Sequence, residues 1–201
     1  MKLLPLLLPV LMLRAPAFAD KKDEVKFSPG PVASYATKQT NENVTIALRS
    51  YDSEELARTA FGKVNPYQYG ILPILVVIQN DTNESLKLDR MRVKYTDYDG
   101  QEIEATPAAE VPYAVEHPKR PSNPVTLPIP PELMKKHKNP LSGPEIQTRA
   151  FAARMLPPHE SAYGFFYFQA HHRPGASVYI NGLKQASSGK DLFYFDIPLK
   201  E

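Results

Sequence analysis

A proline fixes φ and removes a backbone donor, and this 201-residue chain carries 21 of them. That is about twice the usual ~5 %. Such spacing argues against a helical bundle and for short strands joined by loops, with central strands fitted between the prolines. The absence of cysteine tightens the constraint. No disulfide can staple the chain, so an apolar core must stabilise it unaided.

The N-terminus specifies a compartment. Lys2 precedes an apolar run of eleven residues at 3–13, then Ala17-Phe18-Ala19 and charged Asp20-Lys21-Lys22. That is the pattern of a secretory signal peptide over residues 1–19, cut after Ala19. The run is shorter than the roughly 20 residues that span a bilayer, so no transmembrane segment is expected after cleavage. The expected location is exported, periplasmic or extracellular. The mature chain, 20–201, would hold 182 residues, the size of one domain. It loses Lys2 and Arg14, so 24 basic residues become 22 against 22 acidic. A formally neutral chain has no overall field for nucleic acid. Export without cysteine suits a bacterial periplasm better than eukaryotic secretion. The sequons at Asn43, Asn80 and Asn83 then read as polar turns.

Residues 20–43 are polar with few apolar positions and read as a flexible lead-in to a single domain at 44–201. Residues 44–50 alternate, with Val44, Ile46 and Leu48 on one side, as in a half-buried strand. Residues 52–61 read as a short helix capped by Asp52, with Leu56, Ala60 and Phe61 inward and Gly62 after it. Residues 71–79 are apolar on both faces, which places that strand centrally with Pro73 near its start. Residues 86–98 and 101–105 form a hairpin around Asp99-Gly100. Residues 106–144 hold ten prolines and read as a long insertion, helical only near 131–138. Residues 145–155 read as an amphipathic helix with Ile146, Ala150 and Ala153 on one stripe, ended by Pro157-Pro158. Strands follow at 161–170, 177–183 and 192–199.

About seven short strands with turn punctuation predict a mainly β fold, an antiparallel sandwich with one or two short helices. The stretches GILPILVVIQNDTNESLKL, VKYTDYDGQEIE and MLPPHESAYGFFYF resemble exported bacterial domains of immunoglobulin-like build. In those, an apolar strand ends in Asn, a Leu-rich segment returns, and a later Gly-aromatic strand follows a proline. The resemblance spans residues 44–201 apart from the Pro-rich insertion. It implies an immunoglobulin-like β-sandwich and no particular chemistry.

Candidate chemistry is sparse. Asp97, Asp99, Glu102 and Glu104 surround a turn, but a calcium loop would need oxygen ligands where Tyr95 and Thr106 stand, so a hairpin tip is the reading. His171 and His172 are the metal candidates. Adjacent side chains on extended backbone point to opposite faces, which weighs against one shared ion. No nucleophile elbow occurs. A small hydrolase or glycan-binding enzyme module would have to gather His159, His171, His172 and Asp191 around one centre. No cofactor is expected. Phe165 to Phe168 are consecutive aromatics, as are Phe193, Tyr194 and Phe195. The second aromatic face of each strand must lie under the arm or the helices, or meet a partner. The preferred function is a non-enzymatic exported binding component of the envelope, with a protein or glycan partner. Its contacts would sit on the Pro-rich arm: Tyr113, Lys119, Arg120, Lys135, Lys136 and Lys138.

Overall fold

The apolar run after Gly70 becomes the middle strand of the molecule. The computed structural model describes residues 27–114 and 139–199. Its strands are β1 (Lys38–Asn41), β2 (Val44–Ser50), β3 (Leu72–Asn80), β4 (Leu86–Lys87), β5 (Arg92–Thr96), β6 (Glu102–Glu104), β7 (Met155–Leu156), β8 (Ser161–Phe168), β9 (Ser177–Asn181), β10 (Lys184–Gln185) and β11 (Phe195–Pro198). The helices are α1 (Glu54–Phe61), α2 (Val111–Ala114) and α3 (Pro144–Thr148). The first sheet runs β1-β2-β3-β8, the second β11-β9-β5-β6, and a small third one β10-β4-β7. Every strand pair is antiparallel. If β2, β3, β5, β6, β8, β9 and β11 are lettered A, B, C, C′, E, F and G, the two large sheets read A-B-E and C′-C-F-G. That is the strand order of an immunoglobulin-like sandwich.

Side-chain alternation builds two cores. Ile46 and Leu48 of β2 and Leu72, Ile74, Val76 and Ile78 of β3 point between the sheets. They meet Val93 and Tyr95 of β5, Val178 and Ile180 of β9, and Phe195 and Ile197 of β11. The intervening residues Ala47, Leu75, Val77, Phe165 and Tyr167 form a second core on the outer face of the first sheet. Ala57, Ala60 and Phe61 of α1, Val111 of α2 and Ile146 of α3 cover it. β3 is apolar on both faces because each face is buried in a different core. Its Pro73 sits second in the strand and still accepts a bond, from Tyr51 N at 2.9 Å. The second aromatic face of β8 is thus covered within the molecule, with Phe165 packed against Phe61 at 4.8 Å and Tyr51 at 4.8 Å.

Five expectations require correction. Residues 38–41, expected in a flexible lead-in, form β1, because β2 offers a free ladder edge there, and Thr40 and Thr45 pair hydroxyls at 2.8 Å. Phe27, upstream of β1, packs on Phe165 at 5.4 Å. The cap of α1 is Ser53 rather than Asp52, since Ser53 Oγ accepts from Leu56 N at 3.3 Å. The helix expected over 145–155 ends at Thr148. Beyond it the backbone turns into a bridge on β8, with Phe165 N donating to Arg149 O at 2.8 Å and Phe151 N to Phe165 O at 3.0 Å. Gly164 permits this approach, since a Cβ there would lie 2.6 Å from Phe151 N. The last strand begins at Phe195, so Phe193 and Tyr194 precede it and stand 66 % and 57 % exposed. Within 106–144 the structure forms α2 and a 3₁₀ turn at Pro140–Ser142, whose Leu141 joins the second core. The helical reading of 131–138 lies outside the described residues.

The Asn that ends the apolar strand now has a role. Asn80 is fully buried at the end of β3. Its Nδ2 donates to the carbonyls of Glu84 (2.8 Å), Pro157 (2.9 Å) and Leu156 (3.3 Å), and its Oδ1 accepts from Thr82 N and Oγ1. One side chain therefore ties the turn after β3 to β7 and the entry of β8. An Asn buried this way is closed to glycan attachment.

Candidate functional site

Of the residues expected to make contacts, Tyr113 stands near the end of α2 and is 85 % exposed. Lys119, Arg120, Lys135, Lys136 and Lys138 lie outside the described residues. The four residues of the hydrolase reading do not converge. His159 precedes β8 while His171 and His172 follow it. The strand between them has 8 residues, each advancing the chain by roughly 3.4 Å. Asp191 is taken by Lys184, at 3.0 Å. The metal reading of His171 and His172 also divides. The His171 ring packs edge-on against Tyr67 at 5.7 Å, while His172 turns toward Asp52, Nε2 to Oδ2 4.0 Å. Among the described residues no group of three or more His, Cys, Asp or Glu could hold an ion.

His172 does border a cleft of about 550 Å³ between the segment 34–37 and the N-terminus of α1, with Arg49, Ser50, Asp52 and Tyr35. Burial holds the Tyr35 hydroxyl above its ordinary range. Ser50 Oγ donates to Asp52 Oδ2 at 3.3 Å. A charge relay would need that hydroxyl on the imidazole and the carboxylate on the far ring nitrogen. Here the carboxylate sits between the other two, and the buried His172 Nδ1 has no hydrogen-bond partner among the described residues. The order is wrong for activating a nucleophile.

The larger concavity is an open groove of about 860 Å³ on the outer face of the second sheet. Alternation creates it. On β5 and β9, Val93, Val178 and Ile180 point inward, so Arg92, Tyr179 and Asn181 point out. Gly182 follows β9 at φ 82°, where a Cβ would collide with the Arg90 carbonyl, so the backbone there lies flush against the loop before β5. Phe193 and Tyr194 border the groove. They are held between two anchors, since Leu192 and Phe195 are both buried in the inter-sheet core. Leu192 N donates to Leu183 O at 2.8 Å, and Asn41 Nδ2 donates to Tyr194 O at 3.0 Å. The Tyr194 ring stacks on Tyr179 with centroids 5.4 Å apart and planes 30° apart. The Tyr194 ring is therefore pre-oriented, and Phe193 stands beside it on an anchored backbone, so the pair forms an aromatic platform rather than a loose loop. Arg90 and Arg92 stand beside it with no ion-pair or hydrogen-bond partner among the described residues. Sequence reasoning found the aromatic run and missed the arginines, which read as ordinary outward strand and loop positions.

No known protein family matches this chain, and neither does any curated protein. Among solved structures it is similar to MPT63, a secreted protein from Mycobacterium tuberculosis, at 12 % identity and a TM-score of 0.30. The match covers 83 % of this chain and 95 % of that one. The immunoglobulin-like assignment stands on strand order. No helix among the described residues is long and apolar enough to cross a membrane.

Proposed function

We propose that the mature protein works outside the cytoplasm as a non-enzymatic binding component of the cell envelope, with the outer face of the second sheet as its contact surface. The aromatic platform carries this reading. At 66 % and 57 % exposure Phe193 and Tyr194 forfeit more than half of the burial energy of an aromatic ring, about 1–2 kcal/mol each. Rings fixed by buried neighbours and left in solvent suit a partner. The signal-peptide pattern supports export, and the scattered ionisable groups support binding over catalysis. Tyr113 offers a second contact, at the near end of the Pro-rich arm that also carries Lys119, Arg120, Lys135, Lys136 and Lys138.

Co-sedimentation of the purified mature chain with envelope from its native cells tests the reading. The wild type is retained in the pellet. The Phe193→Ala/Tyr194→Ala double variant loses retention by about tenfold. Equal retention of both proteins refutes the sheet face as the contact.

A further inference from the structure

We infer that the groove binds an acidic polysaccharide of the cell surface, an inference that rests on the sheet-face reading above. Three features of the site converge on that chemistry. Pyranose rings present faces of C–H bonds, and flat exposed rings such as Tyr194, braced by Tyr179, and Phe193 are matched to them. Sugar hydroxyls are both donors and acceptors, and the groove offers both in Asn181 and Asp89. The charge then selects the class of sugar. Lys184 and Asp191 neutralise each other at 3.0 Å, whereas Arg90 and Arg92 are exposed and make no ion pair or hydrogen bond among the described residues, beside the carboxylate of Asp89. Two exposed guanidiniums beside exposed aromatic rings suit carboxylates spaced along a chain, which they bind in planar, bidentate fashion. The groove is open along the sheet face and so accepts the middle of a polymer as readily as its end. Its geometry is fixed beforehand by Leu192, Phe195 and the Asn41 bond, so little ordering cost falls on binding.

Affinity electrophoresis and calorimetry of the mature chain with polygalacturonate, dextran and phosphatidylglycerol vesicles test the inference. Polygalacturonate binds, dextran and vesicles do not, and binding weakens as salt rises from ~20 to ~200 mM. Phe193→Ala/Tyr194→Ala weakens binding about tenfold. Arg90→Gln/Arg92→Gln weakens it by about the same factor and flattens the salt dependence. All four positions are exposed, and an unchanged far-UV spectrum confirms that each variant folds. Equal binding of dextran, preference for vesicles, or wild-type affinity in both variants overturns the inference. If polygalacturonate does not bind while envelope retention still depends on Phe193 and Tyr194, the ligand class is wrong and the contact surface stands. If retention is also indifferent to those rings, both fall.

Discussion

Replacing Asn80 by aspartate changes one atom in the best-connected side chain of the fold. The Oδ1 bonds from Thr82 N (3.1 Å) and Thr82 Oγ1 (2.7 Å) can persist. The amide nitrogen, which faces the carbonyls of Glu84, Leu156 and Pro157, becomes an oxygen. As a carboxylate it donates nothing and sets negative charge against three carbonyl dipoles where no solvent reaches. Two good donated bonds are lost at about 1 kcal/mol each, and the orphaned carbonyls add a similar amount or more, for about 4 kcal/mol. A protonated acid recovers one donor, which brings the loss to about 2 kcal/mol. The folded state therefore favours the neutral acid and raises the pKa of the introduced carboxyl above its unfolded value. The sign follows. The partial rescue is fully present below about pH 4 and is lost as pH rises through the folded value. Urea unfolding followed by far-UV circular dichroism at pH 4 and pH 7 measures it, each variant compared with wild type at the same pH. Asn80→Asp should lose about 2 kcal/mol at pH 4 and about 4 at pH 7, whereas Asn80→Ala should lose about 3–4 at both. A loss below ~1 kcal/mol, or a loss for Asn80→Asp that does not grow with pH, refutes the reasoning.

Two further outcomes follow from burial. Phe165→Ala empties the second core beneath α1 and should cost about 3–5 kcal/mol in urea unfolding, while Phe193→Ala at the exposed platform should change stability by less than ~0.5. Burial pushes the Tyr51 hydroxyl up to about 12, with Arg49 opposing and Tyr35 adding to the shift. Its contribution is full below about pH 10 and is lost between there and pH 12, so Tyr51→Phe should flatten the alkaline fall in stability over that window while leaving pH 7 stability nearly unchanged.

How much of this was legible varies with the physical source of each feature. β3 was plain, because seven consecutive buried residues on both faces admit only a central strand. The Asp99-Gly100 hairpin was equally plain, since Gly100 takes φ 83° there. The Asn80 knot was visible as a motif without its reason, because its partners lie 4, 76 and 77 residues away. The 145–155 helix was misleading because Ile146, Ala150 and Ala153 do share a helical stripe. What stops the helix is competition for Arg149 and Phe151 backbone groups by β8, a long-range event that no local spacing encodes. Phe193 to Phe195 misled in the other direction. A run of aromatics shows that something must be covered, and only the start of pairing at Phe195 decides which ring is left out.

The groove was the least legible feature, and the reason lies in the asymmetry of the sandwich. Both large sheets have an outer face, and sequence alternation alone treats them alike. On the first sheet that face carries Ala47, Leu75, Val77, Phe165 and Tyr167, and α1, α2 and α3 close over it. On the second it carries Arg92, Lys94, Tyr179, Asn181 and Asp196, and no described helix packs there. The buried faces of the helices therefore close the second core, and the outer face of the second sheet is the one they leave open. Its residues come from segments far apart along the chain, each polar enough to pass for a solvated strand face. They become a site only when β5, β9 and the approach to β11 are brought side by side, which is a property of strand order rather than of any one stretch of sequence.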